Sequence, residues 1–193
     1  HQATETHDGI IALVGSMGHD GRKYRREATV RLRANVSEVY SAPRVTEAAR
    51  RHPRLGCIPG CALDLTVCDE DGNVWNFDIQ AMRDKAERLL DEQQPHLLVG
   101  SPMCTAFSNI QNINKAKRDP RVVADEIARA RLHLAWCCKL YRAQAARGAY
   151  FLHEHPDGAT SWKVPDMQKL LNHPSVIRTT GHMCRPVSYT HLR

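Results

Sequence analysis

The chain has 193 residues, of which 42% are hydrophobic and 25% charged, enough apolar material for one domain of common size and too much for a disordered or fibrous chain. Lys and Arg number 27 against 21 Asp and Glu, a net charge of +6 that favours polyanionic partners. No apolar run of the length a membrane span needs and no charged-then-apolar leader occurs, so the expectation is a soluble, intracellular protein without a membrane span.

Residues 1–34 are polar, mixed in charge and punctuated by Gly9, Gly15, Gly18 and Gly21, which predicts a flexible arm with little apolar surface to offset the entropy of ordering it. The domain proper is expected over residues 35–185, and residues 186–193 read as a tail foreign to it. Residues 36–40 mix apolar and polar positions before the Ser41-Ala42-Pro43 turn, and residues 45–51 follow as a helix. Alternation over residues 61–67 predicts a second strand, closed by the acidic turn Asp69-Glu70-Asp71-Gly72, and residues 74–79 read as a further short extended piece.

Met82, Ala86, Leu89 and Leu90 recur at helical spacing within residues 81–93. After Pro95, the continuous apolar run Leu97-Leu98-Val99-Gly100 has the character of a strand buried on both faces. A long helix is expected over residues 121–147, closed by Gly148, then a second buried strand over residues 149–152. A helix at residues 164–171 and a strand near residues 176–179 complete the series. This alternation predicts an α/β fold: a doubly wound, mostly parallel sheet with helices on both faces.

In such a sheet the functional groups gather beyond the carboxyl ends of the strands. Cys104 follows one buried strand and Glu154 another, which makes them the leading candidates for chemistry: a thiol able to act as a nucleophile and a carboxyl able to share a proton. The seven Cys are irregularly spaced and read as reduced thiols. Cys57, Cys61 and Cys68 lack the paired knuckles of a zinc site even when His182 and Cys184 are added, so no metal is assigned.

The segment from His96 to Ser108, HLLVGSPMCTAFS, resembles the nucleophile motif of DNA (cytosine-5) methyltransferases, roughly D-L-L-x-G-G-P-P-C-Q-x-F-S. Leu97, Leu98, Gly100, Pro102, Cys104, Phe107 and Ser108 match it. The segment Tyr150-Phe151-Leu152-His153-Glu154-His155-Pro156 is similar to that family's later motif, an apolar strand ending in Glu-Asn-Val or Glu-Asn-Pro. Upstream, Val39-Tyr40-Ser41 stands where the family has the end of its first strand and the start of its cofactor loop.

The resemblance implies a Rossmann-like methyltransferase fold and a cytosine flipped out of DNA, with Cys104 adding to ring carbon 6 and Glu154 holding N3 and the exocyclic amine. It implies S-adenosylmethionine as cofactor, with Tyr40, Ser41, Asp64, Asp78 and Pro102 around it, and Ser101, Ser108 and His155 at the substrate. DNA is the expected partner, and in a eukaryotic cell the nucleus the expected compartment. The chain also departs from the family: Ser101, Met103, Thr105 and His155 replace its usual residues, and Ala42-Pro43-Arg44-Val45 replaces its glycine-rich cofactor turn. That last departure predicts weak or no affinity for the cofactor. The rival expectation is a catalytically inactive nucleic-acid-binding module of a larger, mobile-element-like polyprotein. A third, a cysteine hydrolase pairing Cys104 with His153 or His155, lacks any marked oxyanion hole.

Overall fold

The computed structural model describes residues 34–108 and 117–181. Residues 1–33 of the arm, His182, Cys184, Arg185 and the tail lie outside the described residues, and Ala34 opens the first strand. Four strands, β1 (Ala34–Val39), β2 (Cys57–Leu63), β3 (Leu97–Gly100) and β4 (Tyr150–His153), form one sheet in the order β2-β1-β3-β4. Every pairing is parallel. Four α-helices alternate with them: α1 (Val45–Arg51), α2 (Gln80–Gln93), α3 (Pro120–Ala146) and α4 (Pro165–Leu171).

Register assigns the faces. Val39, Gly100 and His153 are mutual partners across β1, β3 and β4 and so share a face, as Ser37, Leu98 and Phe151 do. That face meets α3, whose Tyr141 stacks on Phe151 with ring centroids 4.8 Å apart. Glu38 projects to the opposite face, where α1 lies. Helices therefore cover both faces of a parallel sheet, the expected fold class. Cover on the α1 side does not extend to β4, where Tyr150 and Leu152 are exposed. No helix among the described residues is long and apolar enough to cross a membrane.

Three segments differ from expectation. β2 begins at Cys57 rather than residue 61 because Pro59 and Gly60, which interrupt an alternating pattern in one dimension, are tolerated on an edge strand with a bulge. Gly60 is required there, since a Cβ would overlap the Ser37 hydroxyl and the Asn35 amide of β1. Residues 74–79 form no strand beyond the isolated antiparallel bridge of Val74 with Cys68. They instead turn Trp75 and Phe77 inward, both buried, and Phe77 packs edge-on against Tyr40 at 4.8 Å and against Trp136 at 4.7 Å. Residues 176–179 likewise join no ladder: Arg178 is drawn to Asp157 and over the Trp162 ring, 4.4 Å from its centroid.

The chain runs outward from β1 to β2, then crosses back over β1 to β3 and onward to β4. Its direction of winding therefore switches between β1 and β3, and the crevice at their carboxyl ends is where such sheets bind ligands. Tyr40, Ser41, Ser101 and Pro102 border it.

Candidate active site at the carboxyl rim of the sheet

Cys104 and Glu154 stand on neighbouring loops. β3 and β4 end in register at Gly100 and His153, and the Glu154 N–H donates to the Gly100 carbonyl at 3.0 Å. Ser101 N–H in turn bonds the Val39 carbonyl at 3.2 Å, so the ends of β1, β3 and β4 are laced together just before the loops begin. Cys104 is half-buried and caps a short 3-10 turn, Thr105–Phe107, whose Phe107 is buried. Glu154 is exposed and borders a cavity of about 390 Å³ that also takes in Trp162 and His153. Neither candidate residue is enclosed in the core.

His155 fastens these loops to each other. It is 8% exposed, with Nε2 2.7 Å from the Pro102 carbonyl and Nδ1 2.7 Å from the Ser161 hydroxyl. A carbonyl only accepts, so Nε2 carries the hydrogen and Nδ1 accepts from Ser161. Burial holds the His155 pKa below its ordinary value, which keeps the ring neutral and this tautomer in place. Both ring nitrogens are thus committed within the fold rather than presented to a substrate. Pro102 is buried, Ser101 and Ser108 are half-buried, and the Ser108 N–H bonds the Thr105 carbonyl at 3.1 Å.

His153 lies alongside, its ring centroid 4.7 Å from that of His155. Its Nδ1 meets the Tyr141 hydroxyl at 3.1 Å, and its Nε2 is buried without a partner among the described residues. Burial, with His155 adjacent, pushes its pKa down to about 3, so this ring is also neutral.

The side of the rim where the resemblance places a cofactor is built differently. Tyr40 ends β1 in a left-handed conformation, φ 53°, which a non-glycine residue holds only under constraint. The constraint is a chain of hydrogen bonds: Tyr40 hydroxyl to His133 Nδ1, then His133 Nε2 to Asp78 at 2.7 Å, then Asp78 to Arg129 at 2.6 Å. Burial, with Cys137 beside it, holds the Tyr40 hydroxyl far above its usual pKa, so it remains a donor. Burial pulls the Asp78 carboxyl upward, but Arg129 and His133 outweigh it and hold the group below the usual carboxylate range. Neither His133 nor Arg129 is visible as a site residue in the sequence, since both reach Asp78 from more than fifty positions away; the only signal is a His on the apolar stripe of α3.

Glu38 closes the other half of this crevice. Fully buried, it accepts from Thr46 N–H at 2.8 Å, Thr46 hydroxyl at 2.6 Å, Ser41 hydroxyl at 2.9 Å and Val45 N–H at 3.3 Å. Arg44, at the N-cap of α1, supplies no side-chain cap, so a strand carboxylate satisfies the free N–H groups of the first turn. Asp64, just beyond β2, accepts from its own turn, Thr66 N–H at 3.0 Å and Thr66 hydroxyl at 2.6 Å.

The residues expected around S-adenosylmethionine are bonded mostly to their own neighbours. Asp78 is bonded to His133 and Arg129, whereas Asp64 has one carboxylate oxygen, Oδ1, on Thr66. The Tyr40 ring is buried against Phe77, His133 and Trp136. Ser41 and the α1 N-terminus are taken by Glu38. Among the described residues no group of three or more His, Cys, Asp or Glu stands together as a metal site. Comparison with protein-family models, curated proteins and solved structures finds no match to this chain.

Proposed function

We propose that the chain is a divergent cytosine-5 methyltransferase-like domain that engages a cytosine of DNA through Cys104 and Glu154 and transfers no methyl group of its own. The observation that carries this reading is the lacing of the two loops: the Glu154 N–H bonds Gly100, the last residue of the strand that leads to Cys104. A thiol and a carboxyl on adjacent loops suit a flat ring with an electrophilic carbon on one edge and an N3 acceptor on another. The excess of Lys and Arg over Asp and Glu, 27 to 21, favours a polyanion as the carrier of that ring.

The chemistry needs no co-reactant. The Cys104 thiolate adds to carbon 6, the electron pair of the 5,6 double bond passes toward N3, where Glu154 shares a proton, and carbon 5 then takes a proton from solvent. Loss of a carbon-5 proton and expulsion of the thiolate reverse the addition. The net result is exchange of the carbon-5 hydrogen with solvent, without oxidation or reduction. A cytosine-containing duplex incubated with the protein in heavy water should gain deuterium at carbon 5. Cys104→Ser should abolish the gain and Glu154→Gln slow it by tenfold or more. Equal exchange by wild type and Cys104→Ser would refute the reading.

The internal bonding of Tyr40, Ser41, Glu38 and Asp78 favours a second reading, a nucleic-acid-binding module without base chemistry. It predicts salt-dependent DNA binding unaffected by Cys104→Ser, with no exchange by either protein.

A further inference from the structure

A second cavity, about 290 Å³, flanks the Cys104 loop. Ala106 and Phe107, from the 3-10 turn that Cys104 caps, form one wall; Ile127 and Arg131 of α3 and Thr160 and Lys163 after β4 form the others. Its electrostatics set it apart. The cavity beside α2 and β3 contains Glu87 and Asp91, that at the β2 edge contains Asp69, Glu70 and Asp71, and that along β4 contains Glu154 and Asp157. No carboxylate lines the cavity at Phe107, yet two cations from separate elements do.

Those cations are uncommitted, while their neighbours are spent. Arg129, two positions earlier on α3, pairs with Asp78, Lys139 pairs with Glu87, and Lys85 with Asp69 and Asp71. Arg131 and Lys163 have no acidic partner among the described residues. The Thr160 hydroxyl is used on the Phe107 carbonyl at 3.1 Å, so the side-chain donors left to a ligand are the guanidinium and the ammonium. The apolar remainder of the lining weakens water's screening of both charges. Such a site takes a compact oxyanion that offers only acceptors.

We propose that the Arg131–Lys163 cavity binds a phosphodiester of the DNA strand whose base is engaged at Cys104. This rests on the reading of the chain as a DNA-engaging domain, and it adds the subsite that would position the strand. Ala106 and Phe107 follow Cys104 within three residues, so a backbone phosphate held here belongs to the nucleotides next to the engaged base.

The test is duplex DNA binding by fluorescence anisotropy across a sodium chloride series, with Arg131→Ala/Lys163→Ala against a charge-matched control, Arg54→Ala/Arg142→Ala. The control residues sit toward the amino ends of the strands. Both substituted pairs are exposed, so folding, checked by urea midpoint, should be preserved. The expected result is a roughly tenfold loss of affinity and a log–log salt slope shallower by about one for the Arg131/Lys163 variant, with little change for the control. Equal losses in both variants, or none in either, would overturn the proposal. Saturable binding of inorganic phosphate to the wild type that leaves DNA affinity unchanged at equal ionic strength would overturn it as well. Absence of carbon-5 exchange with the slope difference retained would sink the base chemistry and leave this subsite standing. Exchange retained with no slope difference would sink the subsite alone.

Discussion

The His155 ring joins the loop bearing Cys104 to the loop bearing Glu154, donating from Nε2 to the Pro102 carbonyl at 2.7 Å while accepting from Ser161. Two loops from distant parts of the chain are thereby joined by a neutral imidazole, alongside the Thr160 hydroxyl's bond to the Phe107 carbonyl. His155→Ala leaves two buried polar groups without partners and should destabilise the domain by about 2–3 kcal/mol in urea unfolding. It should also speed alkylation of Cys104 in the folded state, because the loop loses its anchor. Unchanged stability together with unchanged alkylation would remove His155 from this role.

Acid should weaken the fold before its carboxylates titrate. His153 has an ordinary pKa near 6.5 when unfolded and about 3 when folded, and His155 shifts in the same direction. Between those values the unfolded chain binds more protons than the folded one, so stability rises with pH through the window, is complete above about 6.5 and declines as pH falls toward 3. From pH 7 to pH 5, His153 alone should remove about 2 kcal/mol. Urea midpoints at the two pH values measure the loss, and the His153 ring resonances should show no titration above pH 5. A flat stability profile with a normally titrating His153 would contradict this.

Gly100 is fixed by packing rather than by backbone conformation. A Cβ there would run into the Tyr141 hydroxyl, which is fully buried beneath the end of β3. Gly100→Ala should therefore destabilise by about 1–3 kcal/mol through overpacking. Tyr141→Phe should relieve part of that penalty in the double variant, a non-additivity that a double-mutant cycle reads directly. Strict additivity would place the clash elsewhere.

Calorimetry with S-adenosylmethionine should give no saturable heat at concentrations up to about 1 mM, a limit that corresponds to about 4 kcal/mol of binding free energy. The groups expected around the cofactor are satisfied by their own neighbours, with Tyr40 and Asp78 in one hydrogen-bonded chain and Ser41 on Glu38. Micromolar affinity would mean that this crevice opens and that methyl transfer returns as the function.

What could be read from the chain depended on how local the determining interaction is. Leu97–Gly100 was legible because a strand buried by both neighbours must be apolar throughout, and α2 because its apolar positions repeat every turn. The start of β2 was not, because Gly60 answers to Ser37 and Asn35 on the adjacent strand. Cys104 and Glu154 could be located by the rule that strands deliver function at their carboxyl ends. The bonding of Glu38 to Ser41 and the first turn of α1 was invisible: Glu38 reads as a polar position in an alternating strand, and only the fold brings α1 to it. His133 and Arg129 likewise look like ordinary helix residues until α3 passes Asp78.

The central claim is that Cys104 attacks a pyrimidine held at Glu154, and it is most directly tested with duplex DNA carrying 2-pyrimidinone, a base whose carbon 6 accepts a thiolate without any methyl donor. Intact-mass analysis should find one DNA strand covalently joined to the wild-type protein at Cys104, no adduct with Cys104→Ser, and a sharply reduced yield with Glu154→Gln. A wild-type protein that binds the duplex yet forms no adduct, or an adduct that persists in Cys104→Ser, would contradict the account.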